Sequence, residues 1–323
     1  MPAMAQPPAA TRPDTMALEV VRPAQLDTVL TTLPAPDSAT AASPRRVWTV
    51  AGAHTALYAG TLVLLNEAWY KGYPKTSFQV FNDSREWLQV DKVGHAWTAY
   101  QLSRLSMASW RWAGLSKKQQ VWLGGLSGFA FQTVIEVLDA HSAEWGWSWA
   151  DVAANTFGSG MLIGQELAWG EQRISFKFGF HRMQYPQSLQ ERRANDLFGA
   201  SLPERMLKDY NGQTYWLSAN LRSFFKDCNL PPWLNIAVGY GASGMLGGFA
   251  NQWTDPTTNL PVDLSGTVAR HRQWYLAPDI DFTRIKTRSK FLRSVFFCLN
   301  AFKLPAPTLA LTNGKLRVYG LYF

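Results

Sequence analysis

A mainly α fold, a four-helix membrane-associated bundle followed by a smaller α+β portion with short antiparallel strands, is what the sequence predicts. Three observations predict it. Uncharged, apolar runs between readable helix caps fill residues 45–170. Short β-branched or aromatic runs bounded by Gly, Pro or Asn follow Gly170. The formal charge of +8 is also split: residues 1–170 hold 12 basic and 13 acidic side chains, and residues 171–323 hold 19 and 10. That asymmetry marks two regions with different surroundings and an anionic partner for the second. Three segments follow: 1–44 as a flexible Pro/Ala-rich leader, 45–170 as the helical core, and 171–323 as a basic α+β region.

Composition excludes several classes. A chain of 323 residues has room for a sizeable core. With 17% charged and 14% aromatic residues it is not disordered throughout. Two cysteines, Cys228 and Cys298, exclude a disulfide-dense scaffold and a Cys-rich zinc module. A mean hydropathy of −0.15 excludes a transporter made wholly of long apolar spans.

Eight of the 18 prolines fall in residues 1–44, with no sustained apolar period. Ala3-Met4-Ala5 resembles the end of a secretory signal, although no apolar stretch precedes it. The expected setting is the cell envelope, with the outer membrane or periplasmic face ahead of the inner membrane. Val47 to Asn66 carries no formal charge and has the length of a membrane span, opened by Arg45-Arg46. Asp91 reads as the cap of a helix running to about Trp112. Ser116-Lys-Lys-Gln119 reads as a capping box opening a helix to about Asp139, and Ser148-Trp-Ala-Asp151 as another opening a helix to about Trp169. Gly124-x-x-x-Gly128 and Gly160-x-x-x-Gly164, with Gly158, are expected to let helices pack closely. Beyond Gly170, strands are expected at Ile174–Phe180, Trp233–Ala242, Trp274–Phe282 and Leu316–Phe323, with helices at Gln213–Lys226 and Ser289–Phe302.

Helix direction points to the site. If successive helices alternate, the end of the first, the start of the second, the end of the third and the start of the fourth share one side. That side collects Asn66, Glu67, Asp91, His95, Glu136, Asp139, His141, Glu144, Asp151 and Asn155, and the candidate polar site taken from it is Asp91, Lys92, His95, Glu136, Asp139, His141, Ser148, Asp151 and Asn155. Asp91 and His95 are four residues apart and share a helix face, as do Asp151 and Asn155. Carboxylates and imidazoles gathered at one bundle end suit a divalent metal, a cationic head group or acid–base chemistry. Helix starts also favour Asp91 and Asp151 for purely structural reasons. Glu136 is different: it sits inside an apolar run, where an unpaired carboxylate is costly, so it needs a partner such as His95 or Asn155. No metal is assigned and no cofactor is evident. Walker A, GxGxxG, HExxH, G-x-S-x-G and CxxC patterns are absent. The basic set Arg284, Lys286, Arg288, Lys290 and Arg293 comes without a nucleic-acid recognition module, so anionic lipid or a solvated edge is the expected contact.

Asp91-Lys-Val-Gly-His95, then Glu136, then Ser148-x-x-Asp151-x-x-x-Asn155-x-x-Gly158 resemble the YfiM-like family of predicted envelope lipoproteins, a domain of unknown function. More distantly they resemble VanZ-like membrane proteins, which share the D-K-x-x-H, E, D-x-x-x-N-x-x-G order. The resemblance spans roughly residues 66–164 and implies a helical envelope protein of Gram-negative type with no established reaction. No cysteine lies near the first residue of this sequence, a departure from the lipoprotein pattern. The leading expectation is a membrane-associated envelope protein whose polar bundle end binds a lipid or cell-wall head group. Two other classes stay open. One is a metal-assisted hydrolase or transferase acting on an envelope lipid. The other is a scaffold pairing with an envelope protein through the C-terminal strands.

Overall fold

A computed structural model describes residues 42–323, which form one compact unit; the leader expected at residues 1–44 lies almost wholly outside them. The apolar, β-poor run after Ser43 forms α1 (Pro44–Leu65), continued by a π turn at Asn66–Tyr70. Then come α2 (Val90–Ala113), a short helix at Lys117–Gln119 with a π turn at Gln120–Gly124, α3 (Ser127–Ala140) and α4 (Trp149–Ala168). Two of the three expected caps form, and only the first closes as a reciprocal box. Ser116 and Gln119 form a reciprocal capping box, and the Ser148 hydroxyl accepts from the Asp151 amide. Asp91 does not cap α2. Gln89 precedes that helix in a left-handed conformation, and Asp91 lies in its first turn.

The expectation of a mainly α, four-helix bundle is corrected to a mixed α+β fold. Helices α2, α3 and α4 pack as a core, whereas α1 buries only Val50 among its described side chains. Gly124, Gly128 and Gly158 allow the backbones to meet: a Cβ on Gly158 would stand 2.0 Å from the Ala96 carbonyl oxygen, and one on Gly128 2.0 Å from that of Ala99. Gly160 and Gly164 have nothing within 4 Å of such a Cβ, so that GxxxG pair makes no close helix contact.

The sheet is larger than expected. It comprises β1 (Ile174–Phe180), β2 (Gln213–Asn220), β3 (Leu234–Ser243), β6 (His271–Ile280), β7 (Ala306–Thr312) and β8 (Lys315–Tyr322), antiparallel in that order. A separate two-stranded pair is made by β4 (Gln252–Thr254) and β5 (Pro261–Asp263). The helix expected at Gln213–Lys226 is instead β2 followed by a single turn at Leu221–Phe224. Pairing with strands on both sides overrides the local preference of that segment. Helices α5 (Ser188–Phe198), α6 (Leu202–Lys208) and α8 (Lys290–Leu299) flank the sheet, with the Leu221–Phe224 turn counted as α7.

This sheet is inverted. In-register neighbours Leu217, Val238, Leu276, Leu309 and Val318 cross five strands in one row, and all five are exposed. A second row runs Tyr240, Trp274, Leu311, Leu316. The opposite face is buried and partly polar: Trp216, Ala237 and Tyr275 share it with Ser218, Asn235 and Asp279. There Asp279 pairs with Lys177 (2.7 Å) and Lys303 (3.5 Å), all three side chains being fully buried. The sheet curls far enough that Phe178 of β1 exchanges backbone hydrogen bonds with Ala301 and Lys303, and Phe323 lies against Gly179. Its β1 end docks on α2, where Trp97 and Tyr100 meet Phe178 and Phe176.

Candidate functional site

The antiparallel helices bring one polar end together, as their direction requires. Lys92, one residue beyond Asp91 on α2, turns to the side where Asp151 opens α4. Its ammonium donates to Asp83 (2.5 Å), Asp91 (2.9 Å) and Asp151 (2.8 Å). Each carboxylate therefore spends one oxygen on the lysine. The second Asp83 oxygen accepts from the Ser148 hydroxyl, and the second Asp91 oxygen accepts from Tyr210 at 2.6 Å. The second Asp151 oxygen is buried without a hydrogen-bond partner.

His95 stands one turn above Asp91. Its Nε2 lies 4.0 Å from Asp91 Oδ1 and 3.8 Å from Asp151 Oδ1, and its Nδ1 lies 3.5 Å from Glu136 Oε1 and 3.3 Å from the Gln132 amide. Glu136, 1% exposed, has found the partner its apolar run demanded, yet Oε1 makes no hydrogen bond. Its other oxygen accepts from the Ser148 backbone amide. Asn155 contacts Gln132, and Asp139 accepts from Tyr70 at 2.6 Å.

Electrostatics follow from this crowding. Burial alone would raise Asp91, but Lys92, His95 and the Tyr210 hydroxyl hold it at about 2. Burial, with Asp91 adding to it, pushes Asp151 up to about 7. Glu136 is raised by burial to about 8 although His95 opposes this, and Asp139 is raised by burial to about 6. Glu86, facing the same carboxylates, is raised to about 7, chiefly by burial. Burial disfavours the His95 imidazolium, but Asp151, Asp91 and Glu136 together raise its pKa.

A cavity of about 420 Å³ opens onto this cluster. Asp83, Glu86, Asp91, Asp139 and Asp151 line its polar side. Leu65, Phe131, Ile135, Trp145, Met206 and Leu207 line the apolar side, with Leu65 at the C-terminal end of α1. Just before α2, Trp87, Leu88 and Gln89 all have left-handed φ, at 47°, 50° and 65°. Such strain in non-glycine residues is found where surrounding structure fixes a functional geometry. A second cavity of about 480 Å³ lies between the helices and the sheet, lined by Val93, Ala154, Phe157, Leu217, Val238 and Trp274.

Among the sequence-predicted residues, Asp91, Lys92, His95, Glu136, Ser148, Asp151 and Asn155 converge, with Asp139 at the rim. His141 does not: it is exposed, beside Phe78, with Nδ1 on the Thr76 carbonyl. Sequence reasoning missed Asp83, Glu86, Tyr70 and Tyr210. Asp83 and Glu86 lie in the connection between α1 and α2, outside both helices, and Tyr210 lies 119 residues from Asp91. The approach to α2 holds one Asp, Asp83, and no spacing that ties it or Glu86 to the Asp91–His95 turn. In the basic set, Arg284 is held by Asp281 and Glu171 and is no free surface cation, whereas Lys286, Arg288, Lys290 and Arg293 are exposed on or just before α8.

Residues 80–163 match a family described as predicted periplasmic lipoprotein (DUF2279), and that segment holds Asp83, the Asp91–His95 turn, Glu136, Asp139, Ser148, Asp151 and Asn155. The match supports an uncharacterised cell-envelope protein with a periplasmic setting. No curated protein and no solved structure matches the chain.

Proposed function

We propose that the protein works at a membrane of the cell envelope, where its acidic cavity receives the polar head group of a membrane or cell-wall amphiphile. The observation that carries the reading is the inverted sheet. Soluble monomers rarely expose an apolar patch beyond a few hundred Å². Here five adjacent strands, at about 4.8 Å spacing, carry a row roughly 20 Å wide, in which Leu217 and Val238 open onto the cavity beside the helices and Leu276, Leu309 and Val318 continue beyond it. Polar groups inside and apolar groups outside is the arrangement that hydrocarbon favours. Helix α1 adds 22 residues long and apolar enough to cross a membrane, with Trp48, Val63 and Leu64 exposed. Lys117–Ala140 also passes that length and composition test, but it packs against both α2 and α4 as a bundle helix. Helix α8 sets exposed Phe291 and Leu292 beside Lys290 and Arg293, a pattern suited to an anionic lipid interface.

The head-group half rests on what lines the cavity. Leu65, at the end of the most lipid-suited helix, is one of its lining residues, so an acyl chain lying along α1 would place its head group among the acidic residues of the same cavity. The D-K-x-x-H, E, D-x-x-x-N order resembling the YfiM-like and VanZ-like families supports the same placement of the site. Flotation of the full chain with phosphatidylethanolamine/phosphatidylglycerol vesicles tests the first half. The protein should rise with the vesicles at low and high salt, and protein left in the dense layer under both conditions ends the membrane reading. Tryptophan quenching by short-chain phosphatidylethanolamine tests the second, because Trp145 lines the cavity. Saturable quenching should be lost in Asp151→Asn, and equal quenching in that variant removes the head group from this cavity.

A further inference from the structure

We propose that Asp91, His95 and Asp151 bind a divalent transition-metal ion, Zn²⁺ or Mn²⁺, with Glu136 holding the histidine from behind. The inference goes beyond the head-group reading, because metal binding in detergent solution stands or fails whatever occupies the cavity mouth.

Geometry carries it. One atom from each residue, Asp91 Oδ1, His95 Nε2 and Asp151 Oδ1, lies within 4.8 Å of the other two. Neighbouring ligand atoms on an ion with bonds of ~2.0–2.5 Å lie ~3–4 Å apart, so His95 Nε2, at 4.0 Å from Asp91 Oδ1 and 3.8 Å from Asp151 Oδ1, stands at the outer edge of that spacing and a small inward shift closes the triad on an ion. A cluster of acids has this spacing by accident often enough that a second observation is needed. Two buried, unpartnered oxygens provide it. Asp151 is 4% exposed and its Oδ1 faces His95 Nε2 without a hydrogen bond; Glu136 is 1% exposed and its Oε1 faces His95 Nδ1 without one. An unsatisfied buried carboxylate oxygen is costly, and an ion on Nε2 resolves both vacant interactions. It fixes the proton on Nδ1, where Glu136 Oε1 accepts it with the Gln132 amide turned to face the ring through its oxygen, and it gives Asp151 Oδ1 a cation.

The surroundings match what metal sites need beyond their ligands. Lys92 grips the outer oxygens of Asp91 and Asp151, which turns the inner oxygens toward His95. Glu136 behind His95 completes a carboxylate–histidine–metal relay. Tyr210 donates to the Asp91 ligand oxygen and sets its direction. Two carboxylates and an imidazole form a mixed oxygen–nitrogen set, which favours Zn²⁺ or Mn²⁺ over the oxygen-seeking Mg²⁺ and Ca²⁺. The three ligands leave positions open toward the cavity, which Asp91, His95 and Asp151 all line.

The test is isothermal titration of the chelator-treated full chain in detergent with Zn²⁺, Mn²⁺, Mg²⁺ and Ca²⁺, with the melting temperature followed in parallel. One Zn²⁺ or Mn²⁺ per chain should bind and raise the melting temperature. His95→Ala and Asp151→Asn should each weaken affinity by at least about 100-fold, and Glu136→Gln by about 10–100-fold. His141→Ala, outside the cluster, should leave affinity unchanged. Circular dichroism shows whether each variant keeps its fold. If a site variant unfolds, the d–d absorption of Co²⁺-loaded wild type replaces it, a nitrogen–oxygen spectrum supporting the site. No saturable one-to-one binding to wild type overturns the proposal, as does wild-type affinity in folded His95→Ala and Asp151→Asn.

Discussion

Replacing Gly158 with alanine should separate the two helices that carry the site. The new Cβ would stand 2.0 Å from the Ala96 carbonyl oxygen and 2.9 Å from its carbon, against about 3.4 Å for an ordinary contact. These are backbone atoms inside α2, so no rotamer change relieves the clash. Helix α4 must withdraw by roughly 1.4 Å, or bend. Overpacking of this kind costs about 1–3 kcal/mol, and the upper end applies because Gly128 and Ala99 fix the neighbouring α2–α3 crossing just as tightly. The displacement also stretches the 2.8 Å Lys92–Asp151 pair, so site and stability should suffer together. Gly160 and Gly164 are the internal control. They lie in the same helix with nothing within 4 Å of an added Cβ, and alanine there should stabilise by about 0.5–1 kcal/mol through helix propensity. Urea unfolding in a mild detergent reads all three variants. A neutral Gly158→Ala, or a Gly160→Ala as destabilising as Gly158→Ala, would refute the argument that α2 and α4 touch through this glycine.

Asp279→Asn leaves the ammonium groups of Lys177 and Lys303 buried without their shared counter-ion, which should cost about 3–5 kcal/mol in the same assay. Glu86 has a folded-state pKa raised to about 7 from 4.5, so the folded protein holds a proton there that the unfolded chain has released. Its contribution therefore favours folding near pH 5 and is lost as pH rises through 7. Thermal melts should show wild type losing stability relative to Glu86→Gln over that interval, and parallel curves would contradict the assignment. Leu276→Asp combined with Val318→Asp puts two charges on the outer sheet face and should reduce vesicle flotation several-fold with unchanged far-UV circular dichroism; undiminished flotation would place the lipid contact elsewhere.

Much of the helical half is legible in the chain because its signals are local. A cap is read within four consecutive residues, and the box at Ser116 and the hydroxyl cap at Ser148 place their helix starts within a residue. The Asp91–His95 and Asp151–Asn155 spacings set shared faces, and alternating helix direction then brings both pairs to one end. The strands at Ile174, Leu234, His271 and Lys315 were equally readable from their β-branched and aromatic runs. The stretch after Gln213 was not, since its strand state depends on β1 and β3 arriving on either side.

The sequence by itself determined the helix starts at Ser116 and Ser148, the apolar character of α1, and a polar bundle end built around Asp91, His95, Glu136 and Asp151. Tertiary structure alone decided which glycine of α4 touches α2, which face of the sheet turns outward, and that Asp83 and Tyr210 join the site. Capping and periodicity act over a turn or two of chain, so one sequence records them directly. Register, close packing and the pairing of a buried carboxylate are settled between segments up to 119 residues apart, as Tyr210 and Asp91 are, and exist only once those segments meet.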